Sequence, residues 1–321
     1  MNTTSPAHIT QPGRPVLLVM GPTGAGKTDL AMRLADRWPV EIVSVDSAMV
    51  YRGLDIGTGK PDADELRRYP HHLVDILDPS QAYSAGQFVR DAQRLIAEIH
   101  GKGKLPLLVG GTMLYFRALR RGLAEMPVAD PAIRAAINAE AASLGWPELH
   151  SQLGRIDPQA AARIQPNDAQ RIQRALEVFR ITGSSLSDLH AAMKPAVADV
   201  NFVTTAWVPA VRERLYESID RRFRRMMERG LLGEVERLFH RTDLHADLPA
   251  LRSVGYRQLW EHLAGAVDLE TAVMNAIYAT RHLARRQLVW LRAETDVRTF
   301  DPLESAASAQ MEQLVAAHAS L

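Results

Sequence analysis

The stretch Val16-Leu17-Leu18-Val19-Met20-Gly21-Pro22-Thr23-Gly24-Ala25-Gly26-Lys27-Thr28-Asp29-Leu30-Ala31-Met32 decides how this chain is read. Five apolar residues predict a buried strand, residues 21–28 fit G-x-x-x-x-G-K-[ST], and a helix-forming run follows. Glycines let the backbone curl until successive N–H groups face inward at a helix N-terminus, making a concave anion site. Lys27 can then reach a terminal phosphate, and the Thr28 hydroxyl can ligate Mg²⁺. Gly21, Pro22, Thr23, Gly24, Ala25, Gly26, Lys27 and Thr28 are therefore the candidate phosphate-binding residues, with Thr28 also the candidate metal ligand. The loop implies a bound phosphate chain without saying whose.

Further apolar runs at 41–45, 73–77 and 105–109 read as buried parallel strands. Between the last two, Ser84 can cap a helix whose apolar face is Phe88, Ala92, Leu95, Ile96 and Ile99, closing near Gly101. Alternation of this kind, beginning with a P-loop, predicts an α/β fold: a doubly wound parallel sheet with ligands at the carboxyl ends of its strands. From about 127 to 198 the sequence turns Ala-, Gln- and Arg-rich and reads as short helices without a strand. An apolar run returns at 202–208, followed by a helix with Leu215, Ile219, Phe223, Met226 and Met227 on one side and Gly230 at its end. The expected organisation is a disordered lead-in over 1–13, a P-loop core from 14–122 and 201–321, and a helical insertion over 123–200.

The 321 residues are 46% hydrophobic, enough to bury a sizeable core, and include no cysteine. That excludes disulfides, Cys-ligated zinc and a Cys nucleophile, and fits a reducing, cytoplasmic compartment. No apolar stretch approaches the ~20 residues of a membrane helix. Net charge is only +1, but Arg212 to Arg292 holds 15 Arg, no Lys and 11 acids. Arginine favours planar, bidentate phosphate contacts; a general Arg-for-Lys bias of the genome is the plainer explanation.

Asp46 closes the second strand beside the P-loop. It can hold Mg²⁺ through water, accept a proton from a substrate, or simply cap the next turn. Thr112 follows Gly110-Gly111 at the end of another strand; its hydroxyl can donate to a diphosphate oxygen or serve as a plain helix cap. After a possible cap at Asn167, Arg171 and Arg174 share one helix face, with Ile172 and Leu176 on another. Arg281, Arg285 and Arg292 line a later helix, with Ile277, Ala284, Leu288 and Leu291 turned to the core. Such stripes are solvated faces or track a nucleic-acid backbone.

Together these segments resemble the tRNA dimethylallyltransferases, or tRNA isopentenyltransferases, in their bacterial form. The resemblance rests on Gly-Pro-Thr-Gly-Ala-Gly-Lys-Thr at 21–28, Asp-Ser-Ala-Met-Val-Tyr at 46–51, Asp-Ile-Gly-Thr-Gly-Lys-Pro at 55–61, His-His-Leu-Val-Asp-Ile-Leu-Asp-Pro at 71–79 and Gly-Gly-Thr-Met-Leu-Tyr at 110–115. It continues with Asn-Asp-Ala-Gln-Arg-Ile-Gln-Arg-Ala-Leu-Glu at 167–177, Ser-Val-Gly-Tyr-Arg-Gln at 253–258 and Arg-Arg-Gln-Leu-Val-Trp-Leu-Arg at 285–292. It implies transfer of a dimethylallyl group from dimethylallyl diphosphate to the exocyclic amine of the adenosine 3′ of the anticodon. A channel admits the flipped base at one end and the donor at the other, Mg²⁺ offsets the diphosphate charge, and the enzyme is a monomer. The loop that holds the donor diphosphate is also one that ATP would fit.

By the same resemblance Asp46 is the general base, Thr112 bonds the diphosphate near its leaving oxygen, and Arg222 contacts the diphosphate. The anticodon stem-loop would be met by Asp46, Ser47, Ala48 and Met49, by Arg134, and by Gln170, Arg171, Ile172, Gln173 and Arg174. Arg252, Ser253, Val254, Gly255, Tyr256 and Arg257, and Arg285, Arg286, Gln287 and Arg292, complete that set. The rivals are a P-loop small-molecule kinase, a prenyltransferase acting on free adenine nucleotide, and a non-catalytic RNA-binding switch.

Overall fold

The computed structural model describes residues 13–122, 126–191 and 200–319. Residues 1–12 of the expected lead-in, and 123–125 and 192–199 of the expected insertion, lie outside the described residues. The chain divides into two compact units, Met1–Arg117 with Ala198–Leu321, and Ala118–Val197.

The first unit holds β1 (Pro15–Met20), α1 (Lys27–Ala35), β2 (Val40–Val45), α2 (Ala63–Arg68), β3 (His71–His72), α3 (Ala85–Gly101) and β4 (Leu105–Gly110). Within α4 (Met113–Arg121) the second unit begins, and it continues through α5 (Pro131–Leu144), α6 (Trp146–Ile156), α7 (Pro158–Ala161), α8 (Ala169–Thr182) and α9 (Leu186–Ala191). The first unit resumes with β5 (Asn201–Trp207), α10 (Arg212–Glu228), α11 (Leu231–Phe239), α12 (Tyr256–Leu263), α13 (Leu269–Arg292), β6 (Arg298–Phe300) and α14 (Ala307–Ala319).

The six strands form one all-parallel sheet in the order β3-β2-β4-β1-β5-β6. β1 and β4 are buried along their whole length, so both faces are covered, as parallel sheets built from crossover helices require. Leu17, Val19, Ile42, Leu107 and Val109 pack with Leu30 and Leu34 of α1 and with Met311 and Val315 of α14. Each such large apolar side chain contributes about 1.5–3 kcal/mol on burial. A second core joins Val50, Tyr51 and Leu54 to α10–α13 through Phe223, Leu231, Tyr256 and Ile277. α3 begins at Ser84, whose hydroxyl accepts the Gln87 N–H while the Gln87 side chain accepts the Ser84 N–H, and Phe88, Ala92, Leu95, Ile96 and Ile99 are buried. The second unit is helical around Ile137, Leu149, Leu153, Ile172 and Leu176.

Two local readings need correction. The apolar run at 73–77 is not a strand: β3 is only His71–His72, because Leu73 (φ 63°) and Asp75 (φ 56°) turn into the left-handed region and break the extended ladder. The cap of α8 is Asp168, whose carboxylate accepts the Arg171 N–H, not Asn167. β6, three residues long and mostly exposed, carries no apolar pattern from which to infer it.

Candidate active site

Register builds the site. Met20 of β1 and Val45 of β2 both lie opposite Gly110 of β4, the strand between them. The chain therefore leaves the sheet at one level in three neighbouring places, through Gly21, Asp46 and Gly111. The P-loop, a carboxylate and a Gly-Gly turn surround one opening, a cavity of about 460 Å³.

Gly26 caps α1 at φ 79°, a left-handed conformation that costs glycine little. The first intrahelical bond is Leu30 N–H to the Gly26 carbonyl, 3.2 Å, so the earlier amides of α1 have no partner in the helix and can donate to an anion. Lys27 Nζ donates to the Pro22 carbonyl at 2.7 Å. Burial lowers its pKa to about 7; the Asp46 charge pulls it upward and the Arg222 charge pushes it further down. Thr23, Gly24, Gly26, Lys27 and Thr28 line the cavity, while Gly21, Pro22 and Ala25 are buried in the loop behind them.

Asp46 and Met49 line the same cavity. Asp46 Oδ1 accepts the amides of Ala48 (2.8 Å) and Met49 (3.3 Å), so the residue does cap the following turn. Its Oδ2 has no hydrogen-bond partner among the described residues and keeps its lone pairs for a substrate proton. Gly110 and Gly111 line the cavity, whereas the Thr112 hydroxyl is turned to Ser47, accepting its N–H at 3.1 Å and reaching its Oγ at 3.4 Å. It braces the Asp46 turn.

Arg222 completes the wall. Its Nη1 donates to Thr23 Oγ1 (3.3 Å) and Nη2 to the Thr58 carbonyl (3.1 Å). Burial pulls its pKa down against the charges of Asp46 and Asp29, yet a guanidinium stays charged. A side chain at Gly59 would collide with that guanidinium, and Gly59 is held at φ 67°. Arg225 and Arg229, three and seven residues on and on the same helical face, line the cavity too; the sequence reading missed both.

It also missed what holds the 55–61 loop in place. Buried Glu234 accepts the amides of Asp55, Ile56 and Gly57 and the Tyr256 hydroxyl. Lys60 donates to the Tyr51 carbonyl and to Asp55 and Asp75. His71, another lining residue, gives its Nδ1–H to the Tyr69 carbonyl at 2.6 Å and leaves Nε2 buried without a partner among the described residues.

The residues expected at RNA divide by exposure. Ser47, Gln170, Arg171, Arg252, Arg257, Arg285, Arg286 and Arg292 are exposed, and Ala48, Ser253 and Val254 are partly so. Ile172, Gly255, Tyr256 and Gln287 are buried, each turned into packing or internal hydrogen bonds. Gln173 hydrogen-bonds Asn138. In the second unit Arg134 (2.8 Å) and Arg174 (2.6 Å) converge on Glu177, which is fully buried. Burial opposes ionisation of Glu177, but the two arginines outweigh it and its pKa is lowered.

The Thr28 hydroxyl and the Asp46 carboxylate, both lining the cavity, are the hard oxygen donors that could hold a magnesium ion. Among the described residues there is no group of three or more His, Asp or Glu able to hold a metal alone. This donor set suits an ion completed by diphosphate oxygens and water, the usual way Mg²⁺ is bound.

The family model described as IPP transferase matches residues 49–294. The chain belongs to this family. A tRNA dimethylallyltransferase of Bordetella petrii is 53% identical over 304 residues, 94% of this chain and 97% of that protein. One of Alkalilimnicola ehrlichii is 56% identical over 292 residues, covering 90% and 91%. Among solved structures, a tRNA isopentenylpyrophosphate transferase of Bacillus halodurans matches with a TM-score of 0.69 and 36% identity over 95% of this chain and 96% of that one. A eukaryotic dimethylallyltransferase acting on tRNA matches at TM-score 0.77 and 25% identity, covering 94% of this chain and 78% of its own. This IPP transferase family member shares its fold with both.

Proposed function

We propose that the chain transfers a dimethylallyl group from dimethylallyl diphosphate to the exocyclic amine of the adenosine 3′-adjacent to the anticodon in tRNA, releasing diphosphate. The observation that carries this is the meeting of P-loop, Asp46 and Arg222 on one cavity. The donor diphosphate occupies the P-loop, held by Lys27, the α1 amides and Arg222. A magnesium ion held by Thr28 would supply further charge neutralisation to the diphosphate. As the C–N bond forms, the allylic C–O bond breaks and its electron pair leaves with the diphosphate. The amine proton passes to Asp46 Oδ2, which removes the positive charge that alkylation would leave on nitrogen. The allylic cation is delocalised, so the protein's main tasks are to stabilise the leaving group and aim the amine.

Exposed Arg171, Arg252, Arg257, Arg285, Arg286 and Arg292 support contact with RNA phosphates. Extrusion of the target base brings its amine to the carboxylate. No helix among the described residues is long and apolar enough to cross a membrane; a monomer working in the cytoplasm is the form we expect. The test supplies purified protein, Mg²⁺ and unmodified tRNA with labelled dimethylallyl diphosphate or γ-labelled ATP in parallel. Label reaching tRNA only from the prenyl donor supports the assignment. Phosphate leaving ATP for another acceptor, without prenyl transfer, would replace it with a kinase.

A further inference from the structure

Gln287 lies on α13 between the exposed Arg285 and Arg286 and the exposed Arg292, yet is itself only 8% exposed. Its Oε1 accepts the Thr23 N–H at 2.9 Å, and its Nε2 donates to the Gly111 carbonyl at 2.8 Å. The partners fix the orientation of the amide, since a backbone N–H needs an oxygen and a carbonyl needs an N–H. Any side chain at Gly111 would collide with this amide, so the turn after β4 is shaped around it. One carboxamide thereby ties the P-loop to the Gly-Gly turn.

Both ends lead to reacting groups. With its amide given to Gln287, Thr23 offers its hydroxyl to Arg222 Nη1. On the other side Gly111 precedes Thr112, whose hydroxyl accepts the Ser47 N–H beside Asp46. We propose that Gln287 is a positioning residue which sets the diphosphate-holding loop, and through it Arg222, against the turn that carries the base. It also joins the RNA-facing arginines of α13 to the donor site. This rests on the transfer reaction proposed above.

The test compares wild type with Q287A and Q287E. Loss of two buried hydrogen bonds in Q287A should raise KM for dimethylallyl diphosphate and lower kcat, together by roughly 10-fold or more, with tRNA Kd within about twofold. In Q287E a protonated carboxyl can still accept from Thr23 and donate to Gly111, whereas the ionised form loses the donor and repels the carbonyl. Its activity relative to wild type should fall about 10-fold as pH rises through the carboxyl's titration. The charged and titratable side chains around the cavity, among them Lys27, Asp46, His71, Arg222 and Arg225, are the same in both proteins, so the ratio to wild type isolates the carboxyl at position 287. Flat ratios with an unchanged donor KM would overturn the clamp. So would a loss confined to tRNA Kd, which would make Gln287 an RNA contact. Absence of transfer by wild type would instead refute the reaction; Kd for magnesium diphosphate, weakened in Q287A, would still report the clamp.

Discussion

Raising the pH should weaken donor binding through Lys27. With a pKa of about 7 in the free cavity, Lys27 is about nine-tenths charged at pH 6 and about one-tenth charged at pH 8. A bound diphosphate adds negative charge beside Nζ and raises that pKa, so the ligand selects the protonated form. The Kd for dimethylallyl diphosphate should then be roughly 10-fold higher at pH 8 than at pH 6, and binding at pH 8 should take up close to one proton. Calorimetry in buffers of different ionisation enthalpy reads that uptake directly. The diphosphate titrates as well, so Lys27→Met is the reference: it should bind weakly and lack the Lys27 share of the uptake. Equal uptake in wild type and Lys27→Met would refute the reasoning, because it would mean the ammonium is already charged in the free cavity. The same shift bears on folding. Between about pH 7 and 10.5 the unfolded chain holds the extra proton, so this group makes stability rise with pH, and Lys27→Met should raise Tm at neutral pH.

Asp46→Ala should lower kcat by about 10²–10⁴-fold while tRNA Kd stays close to wild type; an unchanged kcat would remove Asp46 as the base. Arg171→Ala, at an exposed side chain, should weaken tRNA binding and reduce its salt dependence by about one charge with no change in Tm. Arg174→Ala should lower Tm as well, by leaving buried Glu177 with Arg134 alone, so a variant that moved only RNA affinity would contradict the ion-pair reading. Glu41 resists ionisation through burial, but hydrogen bonds from His72, Lys102 and Lys104 hold its pKa at about 2 against 4.5 unperturbed. Its share of stability, about 3 kcal/mol, is present above pH 4.5 and lost as pH falls toward 2, so in acid titrations followed by Tm Glu41→Gln should flatten the decline over this window.

The parts of the fold legible in the sequence are those with a short-range signal. β1, β2 and β4 are apolar runs buried on both faces, α3 carries a capping pair and an i, i+4 apolar face, and the P-loop has its own spacing. Asp46 was legible because strand ends beside a P-loop face the ligand. β3 was misplaced because Leu73 and Asp75, just after it, take left-handed backbone that breaks the extended run, which periodicity does not encode. The internal partners of Gln287 and Glu177 were not legible for another reason. The bond from Gln287 to Thr23 spans 264 residues, and Arg134 reaches Glu177 across 43, so nothing local marks either pairing. Exposed arginines and those paired to a buried carboxylate look alike in sequence; only the packed structure separates exposed Arg171 from half-buried Arg174 on Glu177.

The most direct measurement is nucleoside analysis by mass spectrometry of tRNA incubated with the protein, Mg²⁺ and dimethylallyl diphosphate. We expect one new species, adenosine carrying a dimethylallyl group on its exocyclic amine, mapped by nuclease fragments to the position 3′ of the anticodon and missing with Asp46→Ala. Unmodified tRNA after exhaustive incubation, or modification at another nucleotide, would contradict the assignment of this cavity to prenyl transfer.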